Sequence, residues 1–313
     1  MFFHISILKD GYKGVDLFFV ISGFVIYSSS KHKIGSGLGN ALFFLLKRVV
    51  RIFVPYWSIL LLIFLTGYYH IIIGNAVFEE QLKSIFLLPG HNPFFEVSWS
   101  LSFELYFYFL FSLFIFIPFS RKAVKWIFIT AITLITILLL LRTTNYITTG
   151  KAVNFLAGSN IWEFLLGIAA ALACTRILQK VTPVVLVLFI TAIVVFACIY
   201  IPYGNHESQI VYGPSAFVIV LIITRLEELK RMNINRAFVI LGDASYITYL
   251  VHVPLREIFF THRQVSLLNK IIYIAITYIA SVLIHLVYEK KVLSKLNDQL
   301  YRLFYKPVLL RKK

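Results

Sequence analysis

Apolar residues in this chain come in unbroken runs, not in the one-face or alternating patterns of soluble helices and strands. The runs fall near residues 14–30, 52–73, 99–118, 126–141, 161–175, 184–201, 213–225, 239–259 and 269–289. Crossing a hydrocarbon core of about 30 Å takes roughly 20 helical residues, and the period-two alternation of a membrane β-barrel is absent. The pattern therefore predicts an all-α, polytopic transmembrane helical bundle of about nine complete spans. The runs at 161–175 and 213–225 are short and suit tilted or partly re-entrant segments. Ahead of the first run, Met1 to Leu8 are apolar but too few to cross, and they lack the basic n-region and small-residue cleavage site of a signal peptide. They read as an N-terminal stub, the last turns of a helix that begins upstream.

Composition agrees. Hydrophobic residues make up 59% and the mean hydropathy is +0.84, beyond the roughly 45–50% apolar content of soluble domains. A formal net charge of +16 could suggest nucleic acid. However, 22 of the 30 lysines and arginines gather in alternate loops and at the C-terminus, which is how membrane orientation is set. Nucleic acid is thereby set aside as a partner in favour of membrane lipids. The 31–51 loop and a basic tail at 290–313 are expected on the cytoplasmic side of a multi-pass inner-membrane protein. Cys174 and Cys198 lie in apolar runs without ligand spacing and read as core thiols. No zinc, EF-hand or cysteine–histidine pattern occurs, so no metal is expected. Gly35-Ser-Gly-Leu-Gly39-Asn40 follows no strand and reads as a flexible loop, not a phosphate loop.

Ionisable residues in such a chain are costly, about 2.5–3.5 kcal/mol each on insertion scales, and so mark sites. Arg48 and Arg51 are one turn apart on one helix face. Guanidinium forks bind phosphate bidentately, although the same pair also suits positive-inside anchoring. Asp16 reads either as an N-cap at the start of its span or as the carboxylate partner of a histidine. Glu104, set among Phe103, Leu105, Tyr106 and Phe107, reads as an acid/base group, an arginine holder, an acceptor ligand or half of a structural ion pair. Glu163 has a structural excuse in Asn160-Ile-Trp-Glu163, which looks like a capping box. His252 lies mid-span ahead of Pro254, where a kink could turn the imidazole inward.

Four blocks occur in order: His4 with Gly14-Val-Asp-Leu-Phe-Phe-Val-Ile-Ser-Gly23-Phe; Arg48-Val-Val-Arg51 with Pro55-Tyr-Trp57; Ser98-Trp-Ser-Leu-Ser-Phe-Glu104-Leu-Tyr-Phe-Tyr108; and Leu241-Gly-Asp-Ala-Ser-Tyr246 through His252. Trp162-Glu163-Phe-Leu-Leu-Gly167 is a weaker fifth. Together they resemble the acyltransferase-3 family, membrane O-acyltransferases of surface glycans. The resemblance implies an acyltransferase-3-like transmembrane domain over 1–289. It implies transfer of an acyl group, commonly acetyl, from cytoplasmic acyl-coenzyme A, a co-substrate and not a bound cofactor, to a hydroxyl of a glycan or lipid-linked acceptor. On this reading His4 is the general base, Asp16 its support and Glu104 a further catalytic group. Arg48 and Arg51 hold the coenzyme phosphates, while Glu163, His252, Tyr246 and Trp99 bind or support the acceptor. The rival class is a secondary transporter or lipid-linked glycan flippase, which also keeps ionisable residues in a bundle. Transporters often show two related halves, and nothing here echoes the 14–57 blocks.

Overall fold

The computed structural model describes residues 14–65, 78–89, 98–143, 150–174, 209–228, 234–260 and 266–310. Unbroken apolar sequence satisfies its backbone N–H and C=O groups within a helix, and the described chain is 92% helix with no strand. The all-α expectation therefore holds. Gly14–Ser30 forms α1, Leu38–Leu65 α2, Phe78–Ile85 α3, Trp99–Phe116 α4, Arg121–Thr143 α5 and Lys151–Ala157 α6. Ser159–Cys174 forms α7, Gln209–Glu228 α8, Arg236–Asp243 α9, Ser245–Phe260 α10, Leu267–Ile284 α11 and Lys290–Leu310 α12.

Among the described residues, five helical stretches are long and apolar enough to cross a membrane: Leu38–Leu65, Trp99–Phe116, Lys122–Arg142, Val153–Cys174 and Leu267–Tyr305. The pair α9 and α10, bent by 60°, makes a sixth if both halves cross as one. The count of nine spans is not confirmed among the described residues. The 17 described residues of α1 rise about 26 Å, and the run at 184–201, with Cys198, lies outside the described residues.

Two boundaries differ from the sequence reading. The 31–51 stretch is not a loop: after a 3₁₀ turn at Lys31–Lys33, α2 begins at Leu38, so Arg48 and Arg51 sit well inside a helix. Its opening turns are helical because Ala41, Phe43 and Phe44 are buried, with Phe43 packed against Tyr301, Phe304 and Tyr305. Likewise, the basic tail is helical over Lys290–Leu310, continuous with α11 through a π segment at His285–Glu289. Its Tyr305 hydroxyl donates to Asn40 Oδ1 at 2.6 Å.

The described chain divides into two compact units, one built on Leu38–Ser112 and Ile234–Lys313, the other on Tyr12–Gly37 and Leu113–Asn233. In the first, the Tyr56 hydroxyl donates to Ser84 O at 2.7 Å and Trp57 Nε1 to Ile85 O at 2.9 Å, which ties α3 to α2. The Ser100 and Tyr249 hydroxyls, 2.6 Å apart, join α4 to α10.

In the second unit, α1 and α7 touch backbone to backbone. A Cβ on Gly23 would stand 2.0 Å from Phe164 O, and one on Gly167 2.0 Å from Val20 O. Gly213 of α8 lets that helix close on Trp162, whose ring would lie 2.6 Å from a Cβ there. Val20, Ala170, Cys174, Ala216 and Val220 form the buried core at this crossing, so Cys174 is the core thiol its run predicts. Trp162 Nε1 donates to Thr136 Oγ1 at 2.8 Å, holding α5 on α7. Gly35 adopts φ +74° and its N–H donates to Phe114 O at 3.1 Å, while Gly37 N donates to Ile115 O at 3.2 Å. These amides serve the last carbonyls of α4, which leaves the glycine loop an end-cap with no phosphate cradle.

Candidate functional site

The long helix α2 presents Arg48 and Arg51 on one face. Arg48 is half-buried and Arg51 exposed. The Arg48 guanidinium carbon lies 5.5 Å from the ring centroid of Phe44 and 5.4 Å from that of Tyr108. Phe44 comes from one turn earlier in α2 and Tyr108 from α4, so the cation is gripped by two aromatic faces. A planar guanidinium held by its faces keeps its N–H edges for in-plane acceptors.

Glu104 sits one turn before Tyr108 on α4, is buried at 8% exposure, and accepts a hydrogen bond from the Tyr108 hydroxyl. Both guanidinium charges act on its carboxylate. Neither arginine makes a contact ion pair among the described residues. Two positive charges face one negative charge, and the surplus suits an incoming phosphate. Tyr246 on α10 donates to Ile52 O at 2.9 Å, beside Arg51, and lies in the field of Glu104.

Sequence reasoning does not single out Tyr108. Its one signal is the four-residue spacing from Glu104, which stacks the two side chains on a helix. Tyr108→Phe removes the donor from a buried carboxylate and is expected to lower stability by about 1.5–3 kcal/mol, read as a drop in the thermal midpoint of the detergent-solubilised protein.

His252 is buried, its Nδ1 lies 2.7 Å from Tyr249 O, and its carbonyl accepts from the Tyr273 hydroxyl. This is a hydrogen-bonded core imidazole. Trp99 is 39% exposed and packs edge-on against Phe103 at 6.0 Å.

The other unit holds a second set. Asp16 lies in the first turn of α1, within the helix and not ahead of it, and is buried. An N-cap needs a residue outside the helical turn, so that reading falls. Glu163 is fully buried, neither carboxyl oxygen has a hydrogen-bond partner among the described residues, and the Asp16 charge acts on it. The capping box expected for Asn160 and Glu163 is therefore not made. α7 already starts at Ser159, and Glu163 faces Gly213 of α8, whose added Cβ would lie 3.3 Å from Glu163 Cγ. His4 lies outside the described residues. Among those described, no group of three or more histidine, cysteine or acidic side chains could hold a metal.

The residues brought together are thus two arginines with a buried carboxylate on one unit, and two carboxyls in the core of the other. Both sets fall within residues 11–289, which match the acyltransferase-3 family model, described as an acyltransferase domain. The exopolysaccharide production protein ExoZ of Rhizobium meliloti (strain 1021) is 26% identical over 257 residues, covering 77% of this chain and 75% of that protein. No solved structure matches. A match over this length takes in the arginine pair of α2, the Glu104 block of α4 and the Tyr246–His252 block of α10, and the chain belongs to the acyltransferase-3 family of membrane proteins.

Proposed function

We propose that the chain moves an acyl group, acetyl in the simplest case, from acyl-coenzyme A on the cytoplasmic side to a hydroxyl of a surface polysaccharide or its lipid-linked precursor. The observation that carries this reading is the arginine pair of α2, with its surplus positive charge and its aromatic grip. It suits the phosphates of coenzyme A, with Glu104 as the counter-charge that keeps the pair in place. The family supplies the acyl chemistry, and the name of the exopolysaccharide production protein points to the class of acceptor. His4 takes the proton of the acceptor hydroxyl as its oxygen attacks the thioester carbonyl, and Asp16 holds the imidazole and offsets its charge. The bundle contributes by fixing donor and acceptor in place.

The test is transfer of labelled acetyl from acetyl-coenzyme A to cell-surface glycan by cells expressing the protein. Label on the glycan is the expected result. Movement of an unmodified solute with no label transferred would favour the transporter instead. Arg48→Ala should weaken coenzyme A binding by about 10- to 150-fold, the worth of a charge-assisted contact of about 1.5–3 kcal/mol, and Arg48→Lys should restore only part of it. Titration calorimetry with coenzyme A reads both, and equal affinity in the alanine variant would contradict the assignment.

A further inference from the structure

The last long helix of the first unit is interrupted between α11 and α12, where His285–Glu289 winds as a π segment. Such insertions are frequent at functional sites. This one turns two ionisable side chains toward each other: His285 Nδ1 stands 2.8 Å from Glu289 Oε2, and the side chains are only 12% and 9% exposed. Tyr288, between them in sequence, meets the Ser58 hydroxyl of α2. No role assigned above uses the pair.

Its location follows from how this helix lies on α2. Asn40 meets Tyr305 and Ser58 meets Tyr288, so the two helices run antiparallel. His285 then stands level with a point about ten residues past Arg51, roughly 15 Å farther along the axis. Ser58 follows Arg51 by two turns and faces the same way. Glu289 also lies in the field of Tyr246, whose hydroxyl binds Ile52 O beside Arg51. The flank of α2 that carries Arg51 therefore lies against the segment holding the imidazole–carboxylate pair, at a level farther along the axis.

We infer that His285, oriented by Glu289, is the proton donor to the thioester sulfur of the acyl donor. This rests on the acyl-coenzyme A reading above. With the phosphates at Arg48 and Arg51, the pantetheine arm carries the thioester away from them, and His285 stands on that line. The acceptor oxygen bonds to the carbonyl carbon and its proton passes to the general base. The carbon–sulfur bond breaks, its electron pair goes to sulfur, and the His285 imidazolium gives sulfur a proton to leave free coenzyme A thiol. Proton exchange with water then resets both imidazoles. In water a thiolate departs unaided, but an uncompensated anion inside a bundle costs several kcal/mol, so a proton donor there lowers the barrier. Glu289 engages Nδ1 and leaves Nε2 for the sulfur.

The test uses the purified full-length protein with acetyl-coenzyme A and glycan acceptor. His285→Asn should bind coenzyme A with wild-type affinity and turn over roughly 100-fold more slowly. Glu289→Gln, which keeps a hydrogen-bonding side chain but not its charge, should lose about tenfold in kcat with the donor KM unchanged. Ser58→Ala, which frees Tyr288 without touching a proton donor, should stay within about twofold of wild type. Wild-type turnover in His285→Asn overturns the inference. So does lost coenzyme A binding in that variant, or an equal loss in Ser58→Ala, since either would make the π segment a packing device. If the wild-type protein transfers no acetyl at all, the acyl-coenzyme A reading fails and takes this inference with it.

Discussion

His4→Ala is expected to lower acyl transfer by about 10²–10⁴-fold, the usual contribution of a positioned acid/base group, with acyl-coenzyme A affinity unchanged. That range corresponds to about 2.7–5.5 kcal/mol in the barrier. The acceptor hydroxyl must lose its proton as it attacks, and water in a narrow apolar bundle is a poor base for that purpose. A neutral imidazole is suited to it near pH 7. The sequence supports the pairing with Asp16, since only the polar stretch Lys9–Lys13 and the four residues before it separate His4 from α1. The structure buries Asp16 in the first turn of that helix, where a carboxylate is costly unless something offsets it. Asp16→Asn should accordingly lose activity too, by less than His4→Ala, because the amide keeps the shape and drops the charge. Steady-state transfer assays paired with binding measurements separate the two effects. Wild-type turnover in His4→Ala, or a loss of donor binding matching its loss of turnover, would remove His4 from the chemistry.

Gly167→Ala should destabilise the protein by more than about 3 kcal/mol, the upper end for overpacking. The added carbon would lie 2.0 Å from Val20 O and 2.8 Å from Phe24 N, both backbone atoms. No rotamer change relieves such a clash, so α1 must move away from α7 and the core around Val20 and Ala170 opens with it. Gly23→Ala meets Phe164 O at 2.0 Å and should cost as much. Once the helices have parted for one substitution, the second finds room, so the double variant should fall well short of additivity. Gly14→Ala and Gly39→Ala are the controls. Both lie in helices with nothing within 4 Å of the new carbon, and alanine there should be neutral or slightly stabilising. Thermal unfolding in detergent ranks all five, and a Gly167→Ala midpoint equal to that of Gly14→Ala would refute the backbone contact.

Much of the architecture is legible in the chain because the demand hydrocarbon makes is local. A run such as Trp99–Phe116 satisfies its own backbone wherever it sits, and its helix ends within two residues of where the apolar run does. The opening of α2 and all of α12 are not legible that way. The first reads as part of a loop and the second as a basic tail, and both are helical in a tertiary context where Phe43 and Asn40 meet Tyr301, Phe304 and Tyr305. Asp16 and Glu163 show the same limit at the level of the site. Their sequence neighbours allow ordinary helix-end roles, yet Asp16 lies inside its turn and Glu163 is buried with no local partner.

By itself, the order of residues determined that this is a helical membrane protein and that Arg48 and Arg51 share a face, because apolar run length and residue spacing act within one helix; the acyltransferase reading rests on the resemblance of its blocks to a family. The tertiary structure alone decided that Tyr108 clasps Arg48 across two helices, that glycines bring α1 onto α7, and that the segment of Tyr288 lies against Ser58 of α2. Those facts depend on which helices meet and how closely. Contacts between residues far apart in the chain are selected by packing, and no local pattern carries them.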